Sequence, residues 1–366
     1  MTGRKRLPEL HGGNIYRAAE ETGLPEGRII DFSASINPLG ISKKVKRALI
    51  KNIRHLIHYP DPDATELRHH LSNHHHISVD SVLCGNGSTE LIYLVPMALK
   101  PEKVLIPQPT FSEYERAVLV SRKPEAGSRK AAIKYFKLDR DKDFETDPDA
   151  FIKAMKGCDM AFLCNPNNPT GRLLKRAAML KIAGAAKKLR CYLVVDEAFI
   201  DFCPKDSVVN EVTDNPYLIV MGSMTKFYAL TGLRIGYGVF HQSVIKKISS
   251  YKEPWAVNTI AQRAGVVAIS DTEYRDETFS VMKQEKKFME DGLGKLKIEY
   301  IPSAVNYYLI RLNNAGEVIN SLRNKGILVR DCSNFAGLNR AYIRIAVKSR
   351  RHNARLLKEL SLWHKA

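Results

Sequence analysis

Seven short apolar runs recur between residues 81 and 240, and helical patterns separate most of them. They are Ser81–Cys84, Lys103–Ile106, Ala131–Phe136, Met160–Cys164, Tyr192–Val195, Leu218–Met221 and Ile235–Phe240. Strands that alternate with helices are joined by crossovers, which lay helices on the faces of a mostly parallel sheet. An α/β fold with such a central sheet is therefore expected. The 366 residues are more than one ordinary domain needs. Residues 1–42 read as an irregular arm, with His11-Gly12-Gly13-Asn14, a short helix, a strand around Ile29–Phe32 and the turn Asn37-Pro38-Leu39-Gly40. Helical spacing of Val45, Leu49, Ile53 and Leu56 starts a large domain over 43–257. A long helical stretch from Thr259, with strand patterns at Ala304–Arg311 and Tyr342–Val347, gives a smaller α+β domain over 258–366.

No apolar run approaches the length that crosses a bilayer. The opening MTGRKRLPEL is basic but lacks the apolar stretch of a signal peptide, so a cytoplasmic protein is expected. The six cysteines contain no C-x-x-C pair, which fits reduced thiols and argues against structural zinc. Lysine and arginine exceed aspartate and glutamate by 57 − 39 = 18, an excess that attracts nucleic acid, acidic membranes or phosphorylated small molecules. The cation clusters Lys43–Arg47 and Lys348–Arg351 accompany no recognition motif, so neither nucleic acid nor a membrane is an expected partner. The segment Arg68–Ile77 places His70 and His74 one helical turn apart without a carboxylate or cysteine pattern. It reads as a solvated helix face, and no metal is expected.

In open α/β sheets, ligands bind beyond the carboxyl ends of the strands. After Val82–Cys84 comes Gly85-Asn86-Gly87-Ser88-Thr89 and then a helix, a turn that aims free N–H groups at an anion. After Tyr192–Val195 comes Asp196, which is costly to bury without a cationic partner. After Leu218–Met221 come Ser223 and Lys226, a lysine placed to act as a Schiff-base nucleophile, and Arg234 follows eight residues later. Met160–Cys164 leads into the rigid loop Asn165-Pro166-Asn167-Asn168-Pro169-Thr170-Gly171. An anion cradle, an acid, a lysine and an asparagine turn are what pyridoxal phosphate requires.

The order and spacing of N-N-P-T-G, D-E-A-F and S-x-x-K with its later arginine resemble the fold-type I, aspartate-aminotransferase-like pyridoxal-phosphate enzymes. The resemblance implies a cofactor held by Lys226 through its carbonyl, by Asp196 at its ring nitrogen and by Asn168 at its ring oxygen. It further implies Phe111 on the ring face and Gly87, Ser88, Thr89, Ser223 and Arg234 around the phosphate. Tyr59 would reach the neighbouring subunit's cofactor phosphate in a homodimer with shared sites, and the arm would help cover the site.

The related histidinol-phosphate aminotransferases usually carry a tyrosine where this chain has Phe199. With His11–Asn14, Asp31–Gly40 and Arg330–Phe335, that position resembles the L-threonine-O-3-phosphate decarboxylases of cobalamin synthesis. The resemblance implies a phosphorylated amino-acid substrate held by His11, Ser35, Asn37, Arg330 and Arg344, with Ser35 where some members have asparagine. The rivals are a histidinol-phosphate aminotransferase and, more distantly, a basic nucleic-acid-binding protein.

Overall fold

The computed structural model describes residues 11–121 and 131–363; the expectation for the first ten residues lies outside them. In chain order the strands are β1 (Ile30–Asp31), β2 (Val82–Asn86), β3 (Lys103–Gln108), β4 (Ala132–Lys137), β5 (Met160–Cys164), β6 (Tyr192–Asp196), β7 (Leu218–Ser223) and β8 (Ile235–Phe240). Then follow β9 (Glu299–Tyr300), β10 (Tyr307–Arg311), β11 (Ile327–Leu328), β12 (Arg330–Asp331) and β13 (Tyr342–Ala346). Two compact units emerge. The larger comprises residues 36–281 and 302–305, and the smaller takes the remaining segments, up to residue 35, 282–301 and from 306 onward.

Among the described residues, the larger unit holds one seven-stranded sheet in the order β2-β8-β7-β6-β5-β3-β4. The pairs from β7 through β4 are parallel, and β8 runs against both β2 and β7. Each of the seven apolar runs became one of these strands. Their continuous apolarity has a direct cause. Along β5, Met160, Phe162 and Cys164 join one core while Ala161 and Leu163 join the other, so both faces are covered by helices.

The smaller unit holds an antiparallel sheet in the order β12-β13-β10-β9 and the short parallel pair β1–β11. The segment after β1 bridges the two sheets, because Phe32 N donates to Leu328 O and Ala346 N donates to Phe32 O.

Two expectations change. The helical stretch from Thr259 is two helices, Thr259–Ile269 and Thr272–Lys295, and the compact division falls at 281/282 rather than at 257/258. The first helix belongs with the larger unit because Gln262 Nε2 donates to Asp61 O at 2.8 Å and Gly265 lets Leu67 approach closely. The histidine-rich segment is a helix, Thr65–His75, but not a wholly solvated one. The His75 ring tucks against Tyr237, with Nε2 2.7 Å from the phenol oxygen, and burial drives its pKa down to about 3.

Candidate active site

The carboxyl ends of the parallel strands in the larger unit carry most of the cofactor set. Because β8 runs antiparallel, its first residue lies at that same edge, with Gly236 opposite Ser223 and Ile235 opposite Asn86. Arg234, just before β8, thus arrives beside Gly87, just after β2. Helix Ser88–Leu99 begins there, and its cap residue Gly87, at φ +74°, supplies no side-chain hydrogen bond to the first turn. The N–H groups of a first helical turn suit an anion.

A Cβ on Gly87 would lie 2.5 Å from Arg234 Nη2, and one on Gly236 would lie 2.3 Å from Ser88 N. Glycine at both places draws a guanidinium, a helix N-terminus and the end of β7 to one corner. Ser223 lies there, buried, its hydroxyl 2.8 Å from that of Thr225. Thr89 is half-buried on the first helical turn. This cradle fits a phosphate group.

Asp196 ends β6, with Cys164 and Met221 as its neighbours across the sheet. Burial pushes its carboxyl pKa up; the Tyr114 hydroxyl, the Ala198 amide and the positive charge of Lys226 pull it back. Lys226 is half-buried in the loop after β7. In the asparagine loop, Asn165 is tied to Leu174 by two hydrogen bonds, and Asn167 is engaged by Thr110, Pro109 and Thr170. Asn168 is the half-buried asparagine of the loop, and Phe111 is half-buried edge-on to Tyr114. Tyr59 is 81% exposed and packs against Trp255, ring centroids 5.0 Å apart.

Asn37, expected at the substrate, lies in the larger unit and is tied to the loop that carries Lys226. Its amide donates to Phe227 O at 2.8 Å and Thr278 Oγ1 at 2.7 Å, and its backbone N–H donates to Lys226 O. One amide proton is spent on the lysine loop and the other on the helix Thr272–Lys295, so Asn37 ties that loop to the helix behind Lys226.

Apart from Asn37, the residues expected at the substrate lie in the smaller unit. Arg330 on β12 and Arg344 on β13 are direct cross-strand partners, 6% and 8% exposed. Arg330 Nη2 donates to Asn334 Oδ1 at 2.9 Å and its guanidinium lies over the Phe335 ring. Arg344 Nη2 donates to Ser33 O at 2.9 Å and lies over the Tyr307 ring. Ser33 is a node: Asp31 Oδ1 accepts its N–H and hydroxyl, and its Oγ accepts from Gly13 N at 2.7 Å. A Cβ on Gly12 would sit 2.6 Å from Ser33 O, so only glycine lets the His11–Asn14 turn close on this segment. His11, Ser33, Arg330 and Asn334 line one cavity of about 340 Å³. Ser35 is buried, and its hydroxyl has no hydrogen-bond partner among the described residues.

Sequence reading passed over Tyr114, Asp31, Ser33 and Asn334. Asn334 had a signal, four residues beyond Arg330; Tyr114 had none, being an aromatic residue on an apolar helix face. Among the described residues no three histidine, cysteine or acidic side chains gather as a metal site.

A family model described as aminotransferase class I and II matches residues 27–360. The chain is 38% identical to the threonine-phosphate decarboxylase of Salmonella typhimurium, over 96% of this chain and 95% of that one. The L-threonine-O-3-phosphate decarboxylase structure from Porphyromonas gingivalis matches with TM-score 0.80 and 26% identity, covering 92% and 99% of the two chains. The histidinol-phosphate aminotransferase structure from Clostridium acetobutylicum matches with TM-score 0.83 and 30% identity, covering 91% and 98%.

Proposed function

The chain belongs to the class I and II aminotransferase family, and on that premise we propose that it decarboxylates L-threonine O-3-phosphate. The products are (R)-1-amino-2-propanol O-phosphate, for the nucleotide loop of cobalamin, and CO2. The chain is a pyridoxal-phosphate-dependent enzyme. The observation that carries the substrate choice is the pair Arg330 and Arg344, buried and directly opposite on neighbouring strands. Like charges so placed oppose each other, and a phosphate dianion between them turns that repulsion into two charge-assisted pairs. Each such contact contributes about 1.5–3 kcal/mol. His11, which lines one cavity with Arg330, and the buried Ser35 hydroxyl support the reading. With phosphate as the handle, neither arginine is committed to the α-carboxylate, which is left unstabilised against departure.

When bound, the cofactor supplies a sink for the electron pair left at Cα. The chain's part is to hold and to move protons. Gly87, Ser88, Thr89, Ser223 and Arg234 would hold the cofactor's phosphate, Asn168 its ring oxygen and Phe111 its ring face. Asp196 would keep the ring nitrogen protonated. Lys226 anchors the cofactor and then delivers a proton from Nζ, so that a Cα–H bond replaces the broken Cα–carboxylate bond.

The exposed apolar run Ile50, Ile53, Leu56, Ile57 and Tyr59 supports a homodimer in which Tyr59 serves the partner's cofactor. The six free cysteines fit a reducing cytoplasm. Amino transfer from histidinol phosphate is the second reading, favoured by the Clostridium structure. Phe199, which has no hydroxyl for the ring oxygen, speaks against it.

Carboxyl-labelled O-phosphothreonine, offered with pyridoxal phosphate and no keto acid, should release CO2 over many turnovers. No CO2, but amino transfer from histidinol phosphate once 2-oxoglutarate is added, would replace this reading with the second.

A further inference from the structure

Tyr114 is fully buried, yet its hydroxyl is aimed at the acid, donating to Asp196 Oδ2 at 2.6 Å. The other carboxylate oxygen accepts from Ala198 N at 3.0 Å. The phenol ring is clamped on two sides. It stacks on Phe162 of β5 with centroids 5.0 Å apart and planes 11° from parallel, and it meets Phe111 edge-on at 5.6 Å. One side chain therefore touches both the acid and the phenylalanine assigned to the cofactor ring. Burial holds the phenol well above its ordinary range, so its proton stays and the hydroxyl serves as a donor. Burial also pushes Asp196 up, and the Tyr114 hydrogen bond is the largest influence pulling it back.

A carboxylate and a pyridine ring can share one proton as an ion pair or as a neutral pair. A donor fixed on the carboxylate favours the ion pair. We propose that Tyr114 is a positioning residue for Asp196: its hydroxyl keeps the carboxylate anionic and in one rotamer, so the shared proton rests on the ring nitrogen. The inference rests on Asp196 facing that nitrogen.

Tyr114→Phe keeps the stacked ring and removes only the hydroxyl. Holoenzyme carrying ring-¹⁵N pyridoxal phosphate should hold the nitrogen signal at its protonated position from about pH 6 to 9. In Y114F the signal should move toward the neutral-pyridine position as pH rises, and kcat should fall on the order of tenfold with KM little changed. An unmoved signal and an unchanged kcat would reduce Tyr114 to packing. The Asp196→Asn holoenzyme separates the two failures: if it keeps the protonated signal, the placement of Asp196 is wrong, whatever Y114F does. If Y114F does not fold, 3-fluorotyrosine at position 114 keeps the test, because a stronger donor should hold the signal protonated to higher pH than the native phenol; no such change would overturn the proposal.

Discussion

In the larger unit the key acid sits at the end of a strand buried on both faces, with a tyrosine and a backbone amide on its two oxygens. In the smaller unit two arginines face each other across antiparallel strands, steadied by a carbonyl, an amide oxygen and two aromatic rings. The first arrangement offsets part of the cost of a buried charge before any ligand arrives. The second brings together charges that repel, and so favours an anion over an empty site. A cofactor that stays needs the former; a substrate that must leave suits the latter.

The widest separation between the two should come from Lys226→Ala, which should cut turnover by at least about a thousandfold and abolish the cofactor's bound absorbance with it. Turnover that survives would remove Lys226 from its place in the larger unit. Next, Arg330→Gln and Arg344→Gln should each lower kcat/KM on phosphothreonine by about 10–100-fold while the bound-cofactor spectrum stays native. A lost cofactor spectrum in either would mean that the division of labour between the units is wrong. Phe199→Tyr, which adds the hydroxyl expected at the ring oxygen, should raise abortive amino transfer a few-fold, measured as the ratio of keto product to amine. An unchanged ratio would show that this position does not steer the reaction.

The smallest effect concerns acidity, and here the two regions should have opposite signs. Burial raises Glu197 and Asp201 of the larger unit to about 7, so between the ordinary carboxylate range and pH 7 the folded chain holds protons that the unfolded chain releases. Their contribution is therefore fully present at the acid end and lost as pH rises through 7. Glu21 of the smaller unit is lowered, chiefly by its hydrogen bond from Arg17, so its contribution is lost as pH falls below the ordinary value of 4.5. Glu197→Gln should flatten the decline in melting temperature between about pH 4.5 and 7 by roughly 2–4 °C. A slope identical to the native one would put the titration elsewhere.

Much of the larger unit was legible because its signals are local. The seven apolar runs, the glycine turn at Gly87 and the spacing from Ser223 through Lys226 to Arg234 all lie within short stretches of chain. A strand buried on both faces declares itself by composition, and a turn at positive φ by its glycine. The smaller unit was legible only as a pair of strand patterns and two arginines fourteen residues apart.

What short-range pattern could not carry is pairing across the chain. That Arg330 stands opposite Arg344, that Ser33 ties the His11 turn to Arg344, and that Asn37 latches the lysine loop depend on hydrogen bonds between residues far apart in sequence. Tyr114 is the clearest case: at 82 residues from Asp196, nothing near it announces a partner. Local residue chemistry sets which strands and turns can form and which side chains can react. Which of those side chains meet is decided by strand register and core packing, because each contact follows from how the whole sheet closes and not from its own neighbourhood.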